Sequence, residues 1–304
     1  MIRFLKLFSC FLSAFLLLGC GEDFFDSVTE IEIPEHEPQL VVRGGFNANY
    51  LKYGSFVKVS HTLGILDSTE FNEINDATVQ FYEEDILKST FEEYDNSWYR
   101  GEISDLKANT NYTLKVSSPT YGNVAITQQL PNQVAVTTAT YEADAAVDRY
   151  GDRGDEVTIQ FQDPAGEQNY YAIDAVATYR FENPDTSFII DYSVYASPVD
   201  PLLEDLDQLY LTDASFDGEM YTTRISIELM ETIIYNDIIS QPIEAITVRL
   251  TSISEDRYLF QKTLSAYQDN QDNPFAEPVV VHENIEGGSG IFTLSVTDKF
   301  SIDL

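Results

Sequence analysis

From Gln39 onward, apolar and polar residues alternate in short runs, the period-two signature of strands with one buried face. Leu40-Val41-Val42-Arg43 opens the series and Phe56-Val57-Lys58-Val59-Ser60 follows. Ala77-Thr78-Val79-Gln80-Phe81-Tyr82, Trp98-Tyr99-Arg100, Tyr112-Thr113-Leu114-Lys115-Val116 and Val124-Ala125-Ile126-Thr127 continue it. Turn residues separate the runs: Gly44-Gly45, Asn96, Asn109 and Tyr121-Gly122-Asn123. Six or seven short strands with no helical stretch predict an Ig-like antiparallel β-sandwich over residues 39–131, closed by Leu130-Pro131-Asn132.

The pattern resumes in a second domain, residues 132–304. Strands are predicted at 134–137, 156–161, 170–179, 188–192, 245–253 and 290–296. Two segments break the alternation. Ser254 stands as an N-cap ahead of Glu255 and Asp256, and Phe260, Leu264 and Tyr267 follow at helical spacing until Asp269-Asn270. Arg224 to Ile234 fits a helix through Ile227, Met230 and Ile234, and fits a strand or loop as well. The fold class is therefore all-β and mainly antiparallel. It joins an Ig-like sandwich to a larger β-rich domain, a sandwich or partly open barrel, with one or two short helices.

The first residues do not belong to this pattern. Arg3 and Lys6 precede an apolar run from Phe8 to Leu18, too short to cross ~30 Å of hydrocarbon but suited to a signal peptide. The run ends in Leu17-Leu18-Gly19-Cys20, which resembles a bacterial lipobox. Residues 1–19 then read as a lipoprotein signal peptide and Cys20 as the lipid attachment site. Gly21-Glu22-Asp23, at the head of an acidic cluster, resembles the export signal that sends lipoproteins of Bacteroidota to the outer face of the outer membrane. Residues 20–38, acidic and punctuated by Pro34 and Pro38, read as a tether.

Charge narrows the function. The 304 residues carry 51 acidic and 17 basic side chains, net −34. Nucleic acid is excluded as a partner, because phosphate binding needs clustered Lys and Arg to displace counterions. Docking on an anionic bilayer through a basic patch is excluded for the same reason. Two cysteines build no disulfide framework. His36, His61 and His282 are the only histidines, and their spacing indicates no triad. Gly287-Gly288-Ser289-Gly290 lacks the final glycine and the strand-to-helix context of a nucleophile elbow, so it reads as a turn entering the last strand. The acidic stretch from Asp200 through Asp213 to Asp217-Gly218-Glu219 does not keep EF-hand spacing. That stretch and Asp269-Asn270-Gln271-Asp272-Asn273 read as solvated loops, with a bound cation in either as the lesser alternative. Catalytic residues, metal and cofactors are all assigned as none. The 19 Tyr and 19 Phe are read mainly as cross-strand packing, with at most one of Tyr170 and Tyr171 needing burial.

Asn273-Pro274-Phe275-Ala276-Glu277-Pro278-Val279, followed by Asn284-Ile285-Glu286-Gly287-Gly288-Ser289-Gly290-Ile291-Phe292, resembles the C-terminal pattern of the domain of unknown function 4249 family. The helix start Ser254-Glu255-Asp256-Arg257-Tyr258, the lipobox, Leu40-Val41-Val42-Arg43-Gly44 and Ala77-Thr78-Val79 are similar to that family too. Ser289 departs from the larger or apolar residue of many members. The family has no established activity, so no catalytic residue carries over. Its members are outer-membrane lipoproteins of Bacteroidota, frequently encoded beside TonB-dependent receptors. The resemblance implies a non-enzymatic accessory lipoprotein, facing the cell exterior, that binds an extracellular ligand and assists its uptake by such a receptor. Adhesion or a cell-surface structural role through the Ig-like domain is the alternative expectation.

Overall fold

The computed structural model describes residues 36–64, 66–67, 73–183, 186–236, 238–271, 273 and 275–304. The signal peptide, Cys20, Gly21, Glu22, Asp23 and all but the end of the tether lie outside them.

Seven strands build the first sandwich: β1 (Leu40–Asn47), β2 (Ser55–His61), β3 (Thr78–Glu83), β4 (Ile86–Asp95), β5 (Trp98–Gly101), β6 (Asn111–Ser118) and β7 (Gly122–Gln129). Their order is β1-β2-β5-β4 in one layer and β4-β3-β6-β7 in the other. Strand β4 serves both layers: Ile86 to Phe91 pair with β3, and Glu92 to Asp95 pair with β5. This is the strand order of immunoglobulin-type sandwiches. Alternate residues meet between the layers, Val42, Val57 and Val59 from one against Phe81, Leu114 and Val116 from the other. Phe46 lies edge-on to Phe81 with ring centroids 5.4 Å apart, and Phe81 stacks on Tyr112. The expected turn residues Asn96, Asn109 and Gly122 all take positive φ.

A second sandwich follows with β8 (Val136–Val147), β9 (Arg153–Gln162), β10 (Tyr170–Asn183), β11 (Thr186–Ser193), β12 (Tyr195–Pro198), β13 (Glu204–Asp205), β14 (Leu209–Thr212), β15 (Met220–Glu228), β16 (Ile234–Tyr235) and β17 (Ile238–Ile253). Helix α1 (Glu255–Asn270) and β18 (Ser289–Asp303) complete the chain. A four-stranded sheet β12-β15-β9-β8 packs on the layer β13-β14-β10-β17-β18. Val157, Ile159, Phe161, Ile225 and Ile227 face Tyr171, Ile173, Val248 and Leu250 in its core.

Only one of the two helix candidates forms. Arg224 to Glu228 is strand, because Ile225 and Ile227 point together into the core and pair with Val157 and Asp155 of β9. Burial at period two overrides the weak helical spacing. The predicted helix α1 has Ser254 as its N-cap, whose side-chain oxygen accepts the Arg257 amide at 3.3 Å. No helix among the described residues is long and apolar enough to cross a membrane. The helix also corrects the reading of the paired tyrosines. Both Tyr170 and Tyr171 are buried, Tyr171 in the core and Tyr170 beneath Tyr258 of α1.

Strand β18 joins the two sandwiches. Its first half pairs in parallel with β1, from Val41 opposite Ser289 to Asn47 opposite Ser295. From Ser295 to Asp303 it runs antiparallel to β17. Phe292, Leu294 and Val296 fill the first core together with Ile285, although they lie far beyond the expected boundary at Pro131. One 14-stranded sheet results, and residues Pro38–Leu304 form a single unit.

The C-terminal motif positions this strand. Asn284 Nδ2 donates to Phe292 O at 2.8 Å, and Phe292 N donates back to Asn284 Oδ1 at 3.0 Å, imitating a backbone pair. Gly290 has φ +111°, and a Cβ there would stand 2.1 Å from the Val42 carbonyl oxygen. Glycine is required at that crossing. The motif therefore acts as a turn into the last strand.

Candidate functional site

Alternation in β17 and β18 sends Val248 and Leu250, and Phe292, Leu294 and Val296, into the cores. The intervening residues face the other side of the large sheet. Register then lines them up across four strands. Asp174 of β10 lies opposite Arg249 of β17, Thr251 opposite Thr297 of β18, and Ser295 opposite Asn47 of β1. Helix α1 covers part of this face, while the turn at Tyr50 and the residues around β14 wall the rest. The result is a polar cleft of about 280 Å³ over the seam between the sandwiches.

Its groups hold one another in place. Arg249 Nε donates to Asp174 Oδ1, and Gln208 Nε2 donates to Asp174 Oδ2 at 3.0 Å. Burial raises the Asp174 pKa, opposed by the Arg249 guanidinium. Burial works against the charge on Arg249 as well, but Asp174 outweighs it and keeps the guanidinium pKa above its usual value. Arg257, in the first turn of α1, reaches Asp207 Oδ2 at 3.3 Å, and Tyr210 donates its hydroxyl to Asp207 Oδ1 at 2.8 Å. Asn47 Nδ2 donates to Thr297 Oγ1 at 2.8 Å and to Ser295 Oγ at 3.2 Å. The Thr251 and Thr297 hydroxyls meet at 2.8 Å. The buried Tyr50 hydroxyl lies beside the Arg249 guanidinium and donates to no acceptor, and Lys299 Nζ sits 4.8 Å from the centre of its ring.

The histidines are placed apart from this cleft. His61 is buried against Tyr121, the rings stacked at 4.7 Å. His282 Nε2 lies 2.7 Å from Asp256 Oδ1. Asp213 and Asp217 of the acidic stretch come together with Asp163 from the β9–β10 loop, all three carboxylates within 4.8 Å. Each is already tied down. Asp163 accepts the Tyr171 hydroxyl at 2.5 Å and the Gly218 amide at 2.9 Å, Asp213 accepts the Asn169 amide, and Asp217 accepts the Gly166 amide. Burial raises the Asp163 pKa, and the charges of Asp213 and Asp217 raise it further. One oxygen from each of three residues is half or less of the six to eight that calcium takes.

No residue of the cleft stands out as a site in the sequence. The one signal there is the polar half of the alternation, above all Arg249 inside a strand and the run Thr293, Ser295, Thr297. A solvent-facing sheet carries the same pattern, so only the register reveals an enclosed floor.

Fold and site together define a double β-sandwich of immunoglobulin-type opening topology, fused through one continuous sheet that carries a polar cleft. The chain belongs to the family described as domain of unknown function (DUF4249), which matches residues 27–301. No curated protein matches it.

Proposed function

We propose that this chain is a non-enzymatic binding protein, anchored in the outer membrane through lipid on Cys20 and displayed at the cell exterior. It holds a small extracellular ligand in the cleft and passes it to a TonB-dependent receptor. The cleft is the observation that carries this reading. Its carboxylates and guanidiniums are paired with each other, an arrangement suited to holding a ligand in fixed geometry. The lipobox and the acidic residues Glu22 and Asp23 support the anchor and its outward display.

The test is made in the producing cell. The protein takes up labelled fatty acid, Cys20→Ala does not, and protease added to intact cells removes the wild type. Co-purification from solubilised membranes recovers an outer-membrane barrel. Protection from protease in intact cells places the protein on the inner face, and recovery of no barrel removes the receptor from the scheme. The immunoglobulin strand order of β1–β7 favours adhesion as a second reading. A deletion strain that loses attachment yet grows normally on every nutrient would select it.

A further inference from the structure

We infer that the cleft recognises an anion, taking the carboxylate or phosphate end of a small ligand on Arg249, Arg257 and the Tyr50 hydroxyl. This rests on the reading of the cleft as the ligand site and names the chemistry of what enters it.

The first support is where the positive charge lies. Acidic side chains outnumber basic ones by 51 to 17 in the chain. Yet Arg249 and Arg257 both line this one cavity, and Lys299 neighbours it, opposite Arg249 in the β17–β18 register. Against them stand Asp174 and Asp207. The local balance is positive in a protein that is otherwise strongly negative.

The second support is an inventory of hydrogen-bonding capacity. Both oxygens of Asp174 already accept, from Arg249 and Gln208. Both oxygens of Asp207 accept as well, from Tyr210 and Arg257. A guanidinium has five N–H donors; Arg249 gives its Nε group to Asp174 and lies beside the Tyr50 oxygen, which leaves further N–H groups free. Arg257 gives one bond from Nη2 to Asp207 and lies beside the Tyr210 hydroxyl, with N–H groups to spare. The Tyr50 hydroxyl is buried beside the Arg249 guanidinium and donates to no acceptor. The unused charged capacity is therefore donor, and an oxyanion supplies acceptors alone together with the negative charge that the guanidiniums favour. Planar guanidinium forks match carboxylate and phosphate geometry, and such charge-assisted bonds are about twice as strong as neutral ones. The acidic shell does not prevent entry, because its field decays over ~8 Å at physiological ionic strength.

The experiment titrates the chain from residue 20 onward with succinate, inorganic phosphate and glucose, each at constant ionic strength, by calorimetry. Saturable binding of succinate or phosphate, with none of glucose, is expected, and the stronger of the two identifies the source of the oxyanion. Arg257→Gln weakens that binding roughly tenfold or more, and Tyr50→Phe weakens it by a smaller factor, with the melting temperature unchanged. Arg249 is tested only in the paired variant Arg249→Gln with Asp174→Asn, since removing the arginine alone strands a half-buried carboxylate. If neither anion saturates, or if Arg257→Gln binds as the wild type does, the inference falls. Glucose binding that depends on Tyr50 also overturns it, while leaving the binding role intact. Failure to recover a barrel removes the receptor and leaves the anion site standing.

Discussion

Asp256 fastens the segment ahead of the last strand to the body of the protein. Its Oδ2 accepts from Gln128 of β7 at 2.8 Å and from Asn284 at 3.1 Å, and its Oδ1 faces His282. Burial alone would raise its pKa, but the bonds from Asn284, His282 and Gln128 outweigh that and hold it below the usual 3.8. Because folding lowers this pKa, the stabilisation is complete above 3.8 and disappears as pH falls through the lower, folded value. Asp256→Asn should therefore destabilise the protein by about 1–3 kcal/mol at pH 7. Thermal unfolding followed from pH 7 to pH 3 should show the gap between variant and wild type closing in acid. A gap that stays constant with pH would assign the loss to geometry and not to charge. Nothing in the sequence paired these residues. Asp256 was legible as an acid in the first turn of a helix, whereas its partners come from segments 128 and 26 to 28 residues away.

Among the elements, β18 depends on a single atom's worth of space. Gly290 and Gly287 both have positive φ, but only at Gly290 would a Cβ meet backbone, the Val42 carbonyl oxygen, whereas Gly287 has nothing within 4 Å. Gly287→Ala should cost ~1 kcal/mol for the strained backbone. Gly290→Ala adds a clash with β1 and should cost more than ~3 kcal/mol, or prevent folding. Chemical denaturation followed by circular dichroism separates the two, and equal losses would show that the close approach is unimportant. Strands with a buried stripe, such as β6 and β17, were readable from alternation alone. Strand β4 was not, because Ile86 and Leu87 are exposed and only Ser89 and Phe91 are buried along its ten residues. A strand that passes from one layer to the other changes its buried side and loses its period. The cleft stayed hidden for a related reason: its floor is the polar half of four good strands, assembled by a parallel pairing between the two ends of the chain.

For the whole molecule, the excess of acid sets the response to salt. The ion pairs between described residues, such as Arg180 with Glu244 and Lys262 with Glu204, engage few of the 51 carboxylates. Exposed pairs of this kind contribute little individually. Self-repulsion should therefore dominate, and it is strongest at low ionic strength. Raising sodium chloride from 10 mM to 150 mM shortens the screening length from ~30 Å to ~8 Å and should raise the melting temperature by a few degrees. A fall would show that attractive pairs govern stability instead. The parallel pairing of β1 with β18 reaches further than stability. Asn47 bonds to Ser295 across 248 residues, and Phe46 packs against Phe292 in the first core. Contacts of that separation close late, after the entropy of a long loop has been lost. A chain delivered from its N-terminus cannot complete even its first sandwich until its final strand arrives. The domain made first is thus finished last, and its core stays incomplete until β18 is in place.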